Sequence, residues 1–302
     1  MYGIGETVLD IIVSKDVVAA NPGGSTFNSM ISLGRCGAKA VFLTEFGDDR
    51  AGRYIKDFMS ENGVDSTYVN LLPVKTPVVL AFLDEKHDAE YMFYRDKPDS
   101  RPALRLPDIQ PGDLILFGSF YALNPDVRPM VRQFLQHARS RGAIVYYDIN
   151  FRPSHLKDLD RCGDALWENI DVADIVRGSH EDFRILFGIE DVDEVVSGPL
   201  KGHCDRLIFT CGSRPLKVRA GGLALEYEVK KIPTVSTVGA GDNFNAGFLF
   251  GLLREGITRE QLLAGLSSGQ WDRLVATAQS FSASCCQSSE NYVTKEFAGS
   301  LR

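Results

Sequence analysis

The sequence predicts an α/β fold: a doubly wound, mostly parallel sheet with helices on both faces. Three observations carry that expectation. Short apolar runs alternate along the chain with stretches of helical character, the pattern of parallel strands joined by covering helices. The helical stretches end on glycines that act as stop signals. A length of 302 residues, 44% hydrophobic and 24% charged, suffices for one large core and lies outside the compositions of disordered or fibrous chains.

In chain order, residues 6–18 depart from the alternation, residues 39–46 read as a strand, and residues 49–62 as a helix closed by Gly63. At 76–95 two apolar runs flank a polar tip at 84–89, which reads as a β-hairpin. A hairpin inserted in such a sheet has one apolar face needing cover, so it is expected to fold over the ligand-binding edge as a lid, to pair with another subunit, or both. Lid strands are expected at about residues 10–20 and 68–97 of a single 1–302 domain. Residues 113–118, 143–149, 172–176 and 206–210 read as further strands. A strand ending near Ile232 then feeds a glycine-bearing turn and a helix over 242–255 closed by Gly256. Another helix starts at Thr258, with Glu260 and Gln261 in its first turn.

Thirty-three Lys and Arg against forty Asp and Glu leave a net charge of −7. That balance offers no general attraction for nucleic acid or an anionic membrane, so an anionic ligand must be held locally. The six cysteines, Cys36, Cys162, Cys204, Cys211, Cys285 and Cys286, include no CxxC pair, and the adjacent two cannot easily bridge. Neither a zinc ribbon nor a disulfide framework is indicated, and a reducing cytoplasm fits best. The first residues lack a basic n-region, and no apolar run approaches the roughly 18 residues that a membrane span needs.

The most informative stretch is Ser236-Thr237-Val238-Gly239-Ala240-Gly241-Asp242 and the apolar helix after it. Glycines let successive backbone N–H groups point into one concavity, and a helix N-terminus adds partial positive charge, so the turn suits phosphate oxygens. A carboxylate at that mouth would repel phosphate unless it had separate work, and accepting the proton of an attacking hydroxyl is such work. Read in isolation, the same letters also describe a helix cap after a turn. GxxxxGK[ST] is absent, Gly3-Ile4-Gly5 lacks the third glycine of a dinucleotide fingerprint, and HExxH, GxSxG, SxxK and the protein-kinase set do not occur.

Two motifs together give the chain a resemblance, over essentially its whole length, to the PfkB (ribokinase-like) family of carbohydrate kinases. One is Pro22-Gly23-Gly24-Ser25-Thr26-Phe27-Asn28 with Leu33-Gly34-Arg35-Cys36-Gly37 and Phe46-Gly47-Asp48-Asp49-Arg50-Ala51-Gly52; the other is the turn at 239–242. The resemblance implies ATP-dependent phosphorylation of a sugar or nucleoside hydroxyl with magnesium, on a doubly wound α/β domain carrying a β lid. It implies Asp242 as catalytic base and Gly239, Ala240 and Gly241 as the anion hole. Asp10, Gly23, Gly24 and Asn28 match the sugar pocket, Arg95 the lid arginine, and Thr210 and Gly212 a turn that holds ATP. In Asp148-Ile149-Asn150-Phe151-Arg152, at a strand's C-terminal end, Asn150 and Arg152 match residues that face the sugar or γ-phosphate. A loop ion pair between Asp148 and Arg152 is the alternative.

The chain also departs from the family pattern. Where members carry Asn-x-x-Glu it reads Ser179-His180-Glu181-Asp182, so Ser179 is the nucleotide-side match, and Asp182 or Glu181 would serve magnesium through water; a Ser N-cap with first-turn acids explains the same letters. Ser236 stands where many members have an Asp linked to a monovalent cation, which leaves potassium dependence open. Gly-Gly-Ser-Thr-Phe-Asn favours the fructokinase-like branch, with fructose first and 2-keto-3-deoxygluconate second, ribokinase activity being a further alternative. A catalytically silent sugar or nucleotide sensor is the alternative of another class. A homodimer through the lid is expected. Residues 287–292 either close over the adenine or form a frayed end.

Overall fold

A strand that is apolar on both faces needs helices above and below it, and the apolar runs satisfy that need side by side in one sheet. The computed structural model describes residues 1–13, 18–83 and 89–302. The first third of the chain forms β1 (Tyr2–Ile4), β2 (Val8–Val13), β3 (Val18–Gly23), α1 (Ser25–Arg35), β4 (Ala40–Gly47), α2 (Arg50–Glu61), β5 (Val64–Asp65), β6 (Val69–Leu72), β7 (Val78–Leu83) and β8 (Ala89–Tyr94). The middle forms β9 (Leu114–Gly118), α3 (Arg128–Ser140), β10 (Ile144–Asp148), α4 (Leu159–Val172), β11 (Ile175–Ser179), α5 (His180–Phe187), α6 (Val192–Ser197) and β12 (Arg206–Cys211). The last part forms β13 (Arg214–Ala220), β14 (Leu223–Tyr227), α7 (Ala240–Arg254), α8 (Arg259–Ala264), α9 (Ser268–Cys286) and α10 (Lys295–Ser300).

Among the described residues, the large sheet has ten strands in the order β14-β13-β12-β11-β10-β9-β1-β4-β5, with β6 also on β4. Its pairings are parallel from β12 across to β5 and β6. Only β12–β13 and β13–β14 run antiparallel. Period-two alternation sends Leu114, Leu116, Ile144 and Tyr146 into one core with α1, α7 and α9, while Ile115, Phe117, Val145 and Tyr147 enter a second core with α3, α4 and α5. Helices therefore cover both faces, as the sequence predicts.

A separate four-stranded sheet has the order β3-β2-β7-β8, with β2 and β7 parallel and the outer pairs antiparallel. The predicted hairpin over 76–95 is β7–β8, and of its polar tip 84–88 lie outside the described residues. The expected lid boundaries need correction: Val69–Leu72 pairs with β4 in the large sheet, so that stretch does not belong to the small one. The strand expected over 172–176 instead spans Ile175–Ser179, because α4 extends through Val172. No strand ends near Ile232. The last one stops at Tyr227, and residues 228–239 are irregular and largely exposed, with Pro233 unable to donate to a ladder.

Candidate active site

Helix α7 begins on Gly239, whose left-handed backbone (φ 79°) turns the chain sharply into the helix. A side chain there would also strike the Asn291 carbonyl, since a Cβ would lie 2.7 Å from it. Asp242 sits in the first helical turn, half-buried, facing α1. The polar face of α1 is buried, so its groups must find partners, and they find them on α7. Ser25 Oγ donates to Asp242 Oδ1 at 2.7 Å, Asn28 Nδ2 donates to Oδ2 at 2.8 Å, and Ser29 Oγ donates to the Asp242 carbonyl at 2.7 Å. Asn28 Oδ1 is buried with no protein partner. Burial pushes the Asp242 carboxyl up to about 6; the bonds from Asn28 and Ser25 oppose the rise, the Asp148 charge adds to it, and Arg152 opposes it.

On the side of the small sheet, Asp10 of β2 lies against Gly23, where a Cβ would meet Asp10 Oδ2 at 2.0 Å. Burial and the neighbouring Glu6 charge raise the Asp10 carboxyl to about 6. Gly24 follows with φ 128° and opens α1. Arg95, just past β8, forms an ion pair with Glu6. At the ends of neighbouring strands β9 and β10, Ser119 (φ 55°) and Asn150 (φ 39°) both adopt left-handed backbone, and Asn150 Nδ2 donates to Ser119 Oγ at 2.8 Å. Two such non-glycine residues bonded to each other at the C-terminal edge of a parallel sheet are a local strain of the kind found at functional sites. Arg152 is exposed. It does not pair with Asp148, whose partners are Arg177 at 2.9 Å and Asn245 at 2.7 Å, so the loop ion pair expected as an alternative is not formed.

Toward β12, Thr210 Oγ1 accepts from Arg177 at 2.8 Å, and Gly212 (φ 64°) makes the following turn. Ser179 and Asp182 form a capping box on α5. Asp182 Oδ2 accepts from the Ser179 backbone N–H and hydroxyl, and Oδ1 accepts from the Phe151 N–H at 2.7 Å. That carboxylate is buried and accepts these three hydrogen bonds, and Ser179 is engaged in the cap; Glu181 beside it is exposed. Among the described residues no three His, Cys, Asp or Glu side chains gather to hold a metal. Ser236 Oγ accepts from the Val238 N–H at 3.1 Å, closing a local turn.

The chain end is not frayed. Tyr292 and Val293 are buried, the Tyr292 hydroxyl donates to the Pro22 carbonyl, and α10 follows. The sequence reading named Asp242 and Asn28 but not the hydrogen bond between them, and it missed Ser25 as a second donor to Asp242, Ser119 as the partner of Asn150, and Arg177. Ser25 stood within the diglycine motif. Arg177 had a signal too, a cation one residue past an apolar run.

An open α/β sheet that gathers a raised carboxylate, a helix N-terminus and polar groups at its strand ends is laid out for phosphoryl transfer to an alcohol. The chain belongs to the pfkB family carbohydrate kinases, whose family model matches residues 8–291. It is a phosphotransferase of an ATP-using family, acting on a sugar hydroxyl. It is 29% identical over 235 residues to Fructokinase-1 of Oryza sativa subsp. japonica, covering 76% of this chain and 72% of that protein. It is 25% identical over 269 residues to the aminoimidazole riboside kinase of Salmonella typhimurium, covering 87% and 84%. In fold it is similar to a fructokinase double mutant from Vibrio cholerae O395 bound to fructose, ADP and potassium ion, with a TM-score of 0.83, 20% identity and coverage of 100% and 97%.

Proposed function

We propose that the chain transfers the γ-phosphate of ATP to a hydroxyl of fructose. The observation that carries this reading is the arrangement around Asp242: a carboxylate with a pKa of about 6, aimed by Ser25 and Asn28, beside a buried acceptor, Asn28 Oδ1, that lacks a partner. A sugar hydroxyl donating to Asn28 Oδ1 satisfies that atom, and a second hydroxyl of the same sugar then lies near the base. Asp10 accepts further hydroxyls, Asn150 and Arg95 border the sugar, and Gly23 and Gly24 let backbone approach it. Gly239, Ala240 and Gly241 receive the transferring phosphoryl group, with Thr210 and Gly212 toward the nucleotide and Arg152 offsetting charge. Asp242 takes the hydroxyl proton as the oxygen–phosphorus bond forms and the bond to ADP breaks. Magnesium, when bound, neutralises phosphate charge and orients the leaving group. Similarity to plant fructokinase and the Gly-Gly-Ser-Thr-Phe-Asn motif favour fructose.

In this reading the small sheet is a lid that excludes water. Val78, Leu80, Phe82, Met92 and Tyr94 share one of its faces, with Phe82, Met92 and Tyr94 substantially exposed, which supports pairing of two copies through the lid. Six free cysteines fit a cytoplasmic setting. Among the described residues no helix is long and apolar enough to cross a membrane.

The test is ADP release with magnesium-ATP across fructose, 2-keto-3-deoxygluconate, ribose, tagatose and adenosine, beside Asp242→Asn. Turnover on fructose that disappears in the variant while fructose binding persists is the expected result. Turnover on another sugar reassigns the substrate, and silence throughout with binding intact points to a sensor. Repeating the fructose assay with potassium replaced by lithium asks whether Ser236 has removed cation dependence.

A further inference from the structure

Arg177 lies on β11 among apolar and small neighbours, and its side chain is only 10% exposed. A guanidinium cannot shed its proton to escape such burial, so its donors must be committed to partners. One terminal nitrogen donates to Asp148 Oδ1 at 2.9 Å and the other to Thr210 Oγ1 at 2.8 Å, while Nε is buried with none. Asp148 ends the strand that leads to Asn150 and Arg152; Thr210 precedes the Gly212 turn. The guanidinium also points its terminal-nitrogen edge at the turn at 239–242. A Cβ on Gly241 would sit 3.0 Å and 3.1 Å from its terminal nitrogens and 3.4 Å from Cζ. Gly241 has no left-handed backbone, so glycine there makes room for the cation rather than for an unusual φ.

We propose that Arg177 is a positioning residue for phosphoryl transfer: it grips the two strand ends that flank the reaction and holds a fixed positive charge beneath the turn that receives the transferring group. The inference rests on that turn being the phosphoryl site. Away from water, such a charge acts strongly on the negative charge of the transferring group and needs no reorganisation at the moment of reaction.

Arg177→Met and Arg177→Lys test it, through kcat, both KM values, melting temperature, and affinity for ADP with and without aluminium fluoride, a planar mimic of the transferring phosphoryl group. Arg177→Met is expected to lower kcat roughly 100-fold with sugar KM little changed, and to weaken the ADP–aluminium fluoride complex about tenfold more than ADP alone. Arg177→Lys keeps a charge opposite Asp148, and so folds even if the Met variant does not; it is expected to keep part of kcat, about tenfold below the parent, because one ammonium cannot grip both strand ends. Parental kcat in either variant, equal weakening of ADP with and without the mimic, or a loss confined to melting temperature would overturn the proposal. If Asp242→Asn retains turnover, it is the reading of the turn that fails instead.

Discussion

Asp242 and Asp10 are both carboxyls raised to about 6, and each is raised first by burial. If the reaction needs both ionised, activity falls on the acid side as either takes a proton. The acid limb of kcat/KM should therefore break near pH 6 and fall with a slope approaching two, and Asp10→Asn should reduce that slope to one, as a pH–rate profile will show. Slope one in the parent would mean that only a single carboxylate matters. Ser25 supplies a second test. Its hydroxyl favours the charged form of Asp242, so Ser25→Ala should move the limb upward by several tenths of a pH unit; an unmoved or lowered limb would count against Ser25 as a donor to the base.

Among the elements, the turn into α1 is the most constrained. Gly24 has φ 128°, and a Cβ there would lie 2.3 Å from the Glu6 carbonyl oxygen. Gly24→Ala should cost about 1–3 kcal/mol in urea unfolding and raise sugar KM, because the strained turn sets where α1 presents Ser25 and Asn28. Unchanged KM at reduced stability would separate the turn from the pocket. The diglycine, the caps on α5 and α8, and the hairpin were legible in the sequence because each is a local rule of backbone and side chain. The edge pair β13–β14 and the end of α4 were not. A half-exposed antiparallel edge lacks the continuous apolar run that marks a buried strand, and Val172 closes an amphipathic helix while reading like the start of the strand after it.

Over the whole molecule, the chain end is tied to its beginning. Arg35, nearly buried on α1, donates to Asn62 Oδ1 at 2.7 Å and to the Val293 carbonyl at 2.8 Å, pairs with Glu290, and lies over the Tyr292 ring. The segment it holds also carries the Asn291 carbonyl, which accepts from Asn243 Nδ2 at 2.9 Å and backs the Gly239 turn. Arg35→Met takes their donor away from Asn62 Oδ1 and the Val293 carbonyl, so a loss of about 1–3 kcal/mol is expected, with kcat reduced as the turn loses its backing. Denaturant midpoints and kcat measured on the same preparation will show whether the two effects travel together; full kcat at lowered stability would make the tie purely structural.

By itself the sequence determined the fold class, the turn at 239–242 with its aspartate, and the diglycine stretch, since spacing, glycine and apolar periodicity act within a few residues. Tertiary structure alone decided the pairings between distant residues. It spent Asp182 on a helix cap and Phe151, gave Asp148 to Arg177 rather than Arg152, and set Ser25 and Asn28 on Asp242 from more than 200 positions away. A buried polar group takes whichever partner the packing brings within reach, and that choice is made between elements, where no local pattern records it.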